Sequence, residues 1–539
     1  MQSRLTPALE TRWTLGVGTV TIALAAVLAA RLTAWPPNED EALVWFVAQQ
    51  PLGDLLHTAM GERGGAPLHF LLAHVVLGIS PTLGALRLLS AIPVALALPV
   101  VAALAGRLAG RRAALVATIL IAASWTTFFH AIYARMYGLF LLTTALSFLL
   151  LLRALERPTW SRLALWAIAA LTAIATQPYG ALVLAVQAVF VAARGARALR
   201  NLARPAVAFA AVVLAATPLW VTYARLADRF DVGAGGGGAG ELGSPGDVFA
   251  YLWSTLGDFT VGWTPAEIVV ALATLAGAVV LFRARREAGL LVAAVVLVPM
   301  VALLAARSGS GLFLETRHLI FALPFVATAL AVAIIRGAEL SRVWAPIAAG
   351  VALAALVAGE VAWGFDRTPW LYEGEPVART EARAAAAEWL ARRTRSDDVL
   401  LGYEPIYLDA ARAGASDWQT FVPRADARLA VRTLRDAPSL GHGVWVLDAS
   451  DAYDPDVVRL TLPDRSPGPR FESEVFGPFL VIRSREPMRT PERFLQDTVL
   501  VSRLGRELAI GDSWLNLETA KAGLRQVRRS PRSRSTSSS

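Results

Sequence analysis

Cysteine is absent from this chain of 539 residues, and among its 51 basic side chains Lys521 is the single lysine. The first absence excludes disulfides, thiolate metal sites and a cysteine nucleophile. A domain outside the cytoplasm must therefore hold together without covalent cross-links. Charge is also scarce: 17% of residues are charged and 55% are hydrophobic, whereas soluble domains are about a quarter charged. With a mean hydropathy of +0.50, the composition excludes an ordinary soluble protein. A net charge of +9 raises the question of nucleic acid, but most arginines lie in short loops between apolar segments or in the last fifteen residues. No nucleic-acid partner is expected. The bias toward arginine and alanine reflects a GC-rich genome rather than function.

What is present is a succession of apolar runs, most of them long enough to cross a bilayer. Spans are expected at about 14–35, 84–105, 113–131, 137–153, 160–176, 179–193, 205–223, 264–282, 288–306, 317–335 and 343–364. The expected fold class is thus an α-helical polytopic membrane protein with about eleven transmembrane helices. Leu15–Ala34 has the length of a signal-peptide core, but its flank is weakly basic and many spans follow, so it reads as the first transmembrane helix.

The loops alternate in arginine content. One set, from Arg4 and Arg12 through Arg111 and Arg112 to Arg336 and Arg342, holds seventeen arginines; the opposite set holds six, among them Arg135 and Arg317. The positive-inside rule puts the richer set in the cytoplasm. The N-terminus is then cytoplasmic and everything past residue 364 extracytoplasmic. This count treats Pro67–Ile79 as an interfacial element, because 13 residues are too few to span comfortably.

Residues 1–365 form the expected membrane domain, with interfacial helices in a first outer loop at 36–83. Residues 366–486 read as a small extracytoplasmic α/β domain. Glu381–Arg393 reads as a helix, 399–403 and 444–447 as strands, and 476–482 as a weaker strand. Residues 487–527 read as an amphipathic helical segment suited to a membrane surface, and 528–539 as a disordered Arg/Ser tail. A glycine-rich stretch at 228–246 reads as a flexible loop.

One outer loop stands out. Glu39, Asp40 and Glu41 follow Pro36-Pro37, which ends the first span because proline cannot continue a helix. A carboxylate at the bilayer centre costs roughly 2.5–3.5 kcal/mol, so three belong at the surface. Asn38 is a good N-cap, and Glu41 stands three residues on, where its side chain can return to the cap amide. This local account leaves Asp40 without a task. On the same face the sequence collects Pro67-Leu68-His69, Tyr133-Ala134-Arg135-Met136-Tyr137, Gln177-Pro178-Tyr179-Gly180 and Glu315-Thr316-Arg317-His318. Each has a bland alternative. Arginines anchor at span ends, tyrosines form interfacial belts, and His69 has no partner at metal-ligand spacing.

These patterns, in this order, resemble the C-type membrane glycosyltransferases of family 39, which include protein O-mannosyltransferases and bacterial lipid A aminoarabinose transferases. The acidic pair just outside the first span, Pro67-Leu68-His69-Phe70, Arg87-Leu88-Leu89-Ser90-Ala91, Ala134-Arg135-Met136-Tyr137, Gln177-Pro178-Tyr179-Gly180 and Arg317-His318-Leu319 carry the resemblance over about residues 14–335. It departs at two places: Tyr133 stands where many relatives have Glu, and Gln177 where they have His.

The resemblance implies transfer of a sugar from a polyprenyl-phosphate donor to an extracytoplasmic glycan, lipid or protein acceptor, in a bacterial plasma membrane. Asp40 would be the general base of an inverting displacement, assisted by Glu41. Arg135 and Arg317 would bind the donor phosphate. His69, Tyr133, Tyr137, Gln177, Tyr179 and His318 would line the substrate pocket. No cofactor is certain and no metal ligand is assigned; a divalent ion remains open. The alternatives are a secondary transporter, whose polar residues would sit within spans near the midplane, and an inactive scaffold of the same fold.

Overall fold

The computed structural model describes residues 7–61, 65–195, 202–227, 244–306, 315–340, 343–415, 417–451, 461–511 and 513–529. The glycine-rich stretch up to residue 243 and the tail from residue 530 lie outside these. The chain forms two compact units: 1–35, 46–226 and 240–372 make the first, and 36–45, 227–239 and 373–539 the second.

The first unit is helical. Its elements are α1 (Pro7–Arg31), the end of α2 (Glu39–Ala48), α3 (Leu52–Gly61), α4 (Pro67–Ile79), α5 (Leu83–Ala109), α6 (Arg111–Ala123), α7 (Trp125–Ile132), α8 (Tyr137–Glu156) and α9 (Trp160–Thr176). There follow α10 (Gly180–Gly195), α11 (Ala203–Ala215), α12 (Thr217–Ala227), α13 (Pro245–Phe259), α14 (Thr264–Ala284), α15 (Arg286–Ala306), the 3₁₀ turn Thr316–Ala322, α16 (Leu323–Ala338) and α17 (Trp344–Arg367). Among the described residues seven stretches are long and apolar enough to cross a membrane: Trp13–Arg31, α5, α8, α14, α15, Thr316–Ala338 and α17. The pairs α6–α7 and α11–α12 pass the same test jointly, bent by 55° and 52°. The two remaining expected spans are α9 and α10, apolar helices of 17 and 16 residues. The protein is a multi-pass membrane protein.

The outward side chains agree. Leu15, Ile22, Val269, Leu272 and Val351 are more than half exposed, a pattern stable only against hydrocarbon. Inside, helices approach closely. A Cβ on Gly277 of α14 would stand 1.9 Å from the Ala329 carbonyl of α16, so this crossing requires glycine, as small-residue contacts between membrane helices do. The expected interfacial element at 67–79 is α4, with Pro67 in its first turn, where a missing N–H costs nothing.

The second unit is α/β. Its sheet has strands β1 (Val399–Leu401), β2 (Thr420–Val422), β3 (Gly443–Asp448), β4 (Phe471–Phe476) and β5 (Phe479–Ser484), in the order β2-β1-β3-β5-β4. β1 pairs parallel with β2 and β3, whereas β5 runs antiparallel between β3 and β4. The single strand expected at 476–482 is in fact a hairpin. Gly477 takes φ +53° and lets the chain reverse between β4 and β5. β2, three residues long, lies in no expected strand.

The helices of this unit are α18 (Pro369–Glu373), which begins at its boundary, α19 (Val377–Arg393), α20 (Pro405–Arg412), α21 (Ala427–Asp436), α22 (Pro491–Glu507) and α23 (Ser513–Arg529). The apolar faces of α22 and α23 are used inside the domain. Phe494, Leu495, Val501, Leu504 and Ala520 join Trp445, Leu480 and Ile482 in one buried cluster. Trp445 stacks on Phe494 at 5.2 Å and donates its indole N–H to Thr498 at 3.0 Å.

Replacing Gly277 by leucine is expected to separate α14 from α16. The purified variant should melt at least about 5 °C lower in detergent, since overpacking costs about 1–3 kcal/mol; an unchanged melting temperature would refute the close crossing.

Candidate active site

The acidic loop folds locally as its residues require. The Asn38 side chain accepts from the Asp40 amide at 3.0 Å, and the Asn38 amide donates to Glu41 Oε2 at 3.2 Å. Two amides at the start of α2 are thereby satisfied, and three acids sit in the positive first turn. Glu41 is fully buried, whereas Asp40 is partly exposed.

Glu39 has a different partner. Residues 36–45 belong to the second unit, and within it Glu39 lies at the carboxyl edge of the parallel strands. Arg424, two residues past β2, donates to Glu39 Oε2 at 3.2 Å, and the Tyr403 amide, just past β1, reaches Oε1 at 3.5 Å. Arg424 also pairs with Glu404. Gly402 takes φ +71°, and a Cβ there would stand 2.5 Å from Arg424 Nε; glycine is needed both for the turn and for the approach of the guanidinium. Arg412 lies over the Trp45 ring at 5.1 Å. The carboxyl end of a parallel sheet is where doubly wound domains receive ligands. Here it receives the chain's own Glu39.

In the first unit three turns meet. The α7–α8 turn carries Tyr133 and Arg135, and Ser90 of α5 holds it by donating to the Arg135 carbonyl at 2.8 Å. The α9–α10 turn carries Gln177 and Tyr179. It closes through Gly180, whose amide donates to the Gln177 carbonyl at 2.8 Å and where a Cβ would meet Ile174 at 2.7 Å. The turn before the 3₁₀ helix carries Arg317 and His318.

Arg317 lies over Tyr137 at 5.1 Å and Tyr133 at 5.9 Å, in cation–π range. Its guanidinium also pairs with Glu315 at 2.5 Å. His318 stacks on Tyr179 at 4.5 Å and 11°, and its Nδ1 accepts from the Glu315 amide at 3.0 Å. Five of the expected residues, Tyr133, Tyr137, Tyr179, Arg317 and His318, thus form one cluster of rings around a guanidinium. Burial pushes the Tyr179 hydroxyl up, so that it stays protonated.

His69 feels the charge of Arg135. Burial, then the Arg135 charge, push the His69 imidazole down to about 3, so it is neutral at pH 7. Gln177 is buried and ends α9.

Two residues of this neighbourhood escape sequence reading. His130 stands inside an apolar run, yet its ring lies 4.9 Å from Tyr137. Asp258, at the end of α13, accepts from the Thr316 hydroxyl at 2.6 Å and pairs with Arg367 at 3.5 Å. Burial raises its pKa against those two partners. Its contact with Thr316 has no trace in a sequence where 58 residues part the two.

A divalent ion would need several carboxylate or imidazole ligands converging on one point. Among the described residues no group of three or more such side chains does so, and no chemistry is routed through a metal.

The fold is that of the C-type (GT-C-like) membrane glycosyltransferases. Neither a protein-family model nor a curated protein matches the chain. Among solved structures, ArnT from Cupriavidus metallidurans in the apo state superposes with a TM-score of 0.51 at 14% identity, over 88% of this chain and 98% of that one. The Archaeoglobus fulgidus oligosaccharyltransferase AglB, in complex with an inhibitory peptide and a dolichol-phosphate, gives 0.50 at 10% identity over 80% and 69%. At such identities the likeness is one of fold.

Removing Arg424 leaves the buried Glu404 and the first-turn residue Glu39 without their shared cation, and a buried acid without its partner is strongly destabilising. Arg424→Ala is expected to speed amide exchange in residues 39–45 by at least about tenfold while β3 keeps its protection. Equal exchange in variant and parent would show that the pair does not hold the loop.

Proposed function

We propose that the protein is a membrane glycosyltransferase that moves a sugar from a polyprenyl-phosphate carrier to an acceptor outside the cytoplasm. The observation that carries this reading is the Arg317 guanidinium held over Tyr133 and Tyr137 beside the Tyr179–His318 stack. Aromatic faces accept the apolar faces of a sugar ring, and a guanidinium pairs with phosphate oxygens. Cation and rings together suit a sugar phosphate. The fold supports it: a neighbour of the same architecture, AglB, has been solved in complex with a dolichol-phosphate.

The reaction is a single displacement. An acceptor hydroxyl oxygen attacks the anomeric carbon from the face opposite the phosphate, and its proton passes to Asp40. The carbon–oxygen bond to phosphate breaks, its electron pair stays on the phosphate oxygen, and a diester becomes a monoester with one more negative charge. Arg317 and Arg135 stabilise that charge. Glu41 acts through the helix cap, by fixing the turn that presents Asp40. Inversion at the anomeric carbon follows, because one carboxylate serves one step. The seventeen arginines of one loop set support a plasma-membrane topology with the N-terminus inside and the C-terminal domain outside.

Two experiments test this. Purified protein given radiolabelled mannosyl and pentosyl polyprenyl phosphates should release polyprenyl phosphate from one of them. Asp40→Asn should lower that rate by about 10²–10⁴-fold, the usual contribution of a general base, without lowering the yield of folded protein. Full activity in this variant would remove Asp40 from the mechanism. Sugar crossing proteoliposomes without release from its carrier would favour transport instead.

The second experiment exploits the missing cysteines. Ser466→Cys and Arg157→Cys each introduce a single exposed thiol. In intact cells an impermeant maleimide should label the first and not the second; the opposite result would invert the topology.

A further inference from the structure

A cleft of about 240 Å³ opens at the far end of α16 from the ring cluster, within the first unit. Sixteen residues of α16, at 1.5 Å each, put about 24 Å between the two ends. Its rim is basic: Arg111 and Arg112 come from the α5–α6 turn, Arg285 from the α14–α15 turn, and Arg336 with Glu339 from the end of α16. Four arginines and one glutamate leave the rim at +3. The rim is also built rather than incidental. Gly110 takes φ +92° to make the first turn. Arg285 ties the second turn to it by donating to the Arg107 and Leu108 carbonyls at 3.1 and 3.3 Å. Arg336 holds Glu339 at 2.6 Å, so the single acid is neutralised locally.

The wall behind this rim is aliphatic, formed by Val280, Leu281, Val332 and Ile335. A basic mouth with an aliphatic wall does not suit a small hydrophilic anion, which would leave the wall uncovered. It suits an anion attached to hydrocarbon. Basic pockets between transmembrane helices are suited to acidic lipid headgroups.

We propose that this cleft binds the phosphate of an anionic phospholipid, whose acyl chain sets out along the aliphatic wall. The lipid joins the turns that end α5, α14 and α16. This site is separate from the sugar-transfer site and does not rest on that assignment.

The test uses purified full-length protein in a neutral detergent, with lipid binding read by native mass spectrometry and by thermal shift. Dioleoylphosphatidylglycerol should bind one to one and raise the melting temperature. Dioleoylphosphatidylcholine should need at least about tenfold more for equal occupancy. The double variant R112A/R336A should weaken phosphatidylglycerol binding by about 25-fold, from about fivefold per arginine, whereas R157A, outside the cleft, should not. Glycerol 3-phosphate should fail to compete. Three results would overturn the proposal: equal binding of the two lipids, an unaffected double variant, or competition by glycerol 3-phosphate at the lipid's own concentration. The last would mark a soluble-phosphate site.

Discussion

No water reaches a backbone amide in hydrocarbon, so every N–H and C=O there must find its partner within the chain. The first unit obeys this constraint and is shaped by it. Its membrane stretches are helices throughout, and even the bent pairs keep nearly continuous ladders. The consequence for chemistry is positional. Irregular backbone is pushed to helix ends, and the turns bearing Tyr133, Tyr179 and Arg317 are such ends. Their convergence follows from three helix pairs being packed side by side.

Arginine does the work elsewhere divided among lysine, cysteine and histidine. Arg87 is almost fully buried and donates to the carbonyls of Leu32 and Trp35, at 3.0 and 2.8 Å, where the first span ends and leaves acceptors without helical partners. In the second unit Arg379 and Arg383 share Glu375 and reach Asp448 and Asp409, and Arg424 bridges Glu39 and Glu404. Burial alone would raise the pKa of Glu375, but the two guanidinia outweigh it and hold the carboxyl below its ordinary value. A lysine could not replace them, since each guanidinium serves two acceptors in a fixed plane. Such pairs cross-link the fold where disulfides are absent.

The mechanism and the architecture meet at α2. Its first turn carries three carboxylates with three separate fates: Glu39 on Arg424, Glu41 on the cap amide, and Asp40 partly exposed between them. The base proposed at Asp40 needs a fixed position and an accessible oxygen; the contacts of Glu39 and Glu41 tie down the turn on either side of it, and its own side chain is partly exposed.

Local features were legible in the chain. Pro67–Ile79 gave a helix over those bounds, and Asn38 with Glu41 gave the cap, because proline restrictions and capping act over a few residues. The periodic apolar runs gave the spans, because length against bilayer thickness is a one-dimensional property. Strand β2 and the β4–β5 hairpin were not legible: three residues carry no period, and the reversal rests on one glycine in a left-handed conformation. Nor were His130, set against Tyr137 across the α7–α8 turn, and Asp258, which meets Thr316 only across the packed bundle. Sequence by itself determined the membrane class, the helices and the chemical types at their ends. Tertiary structure alone decided which ends meet, that Glu39 belongs to Arg424 and that Arg317 rests on two tyrosines, because such pairings join residues up to 385 positions apart, and no local pattern records a distance closed only by packing.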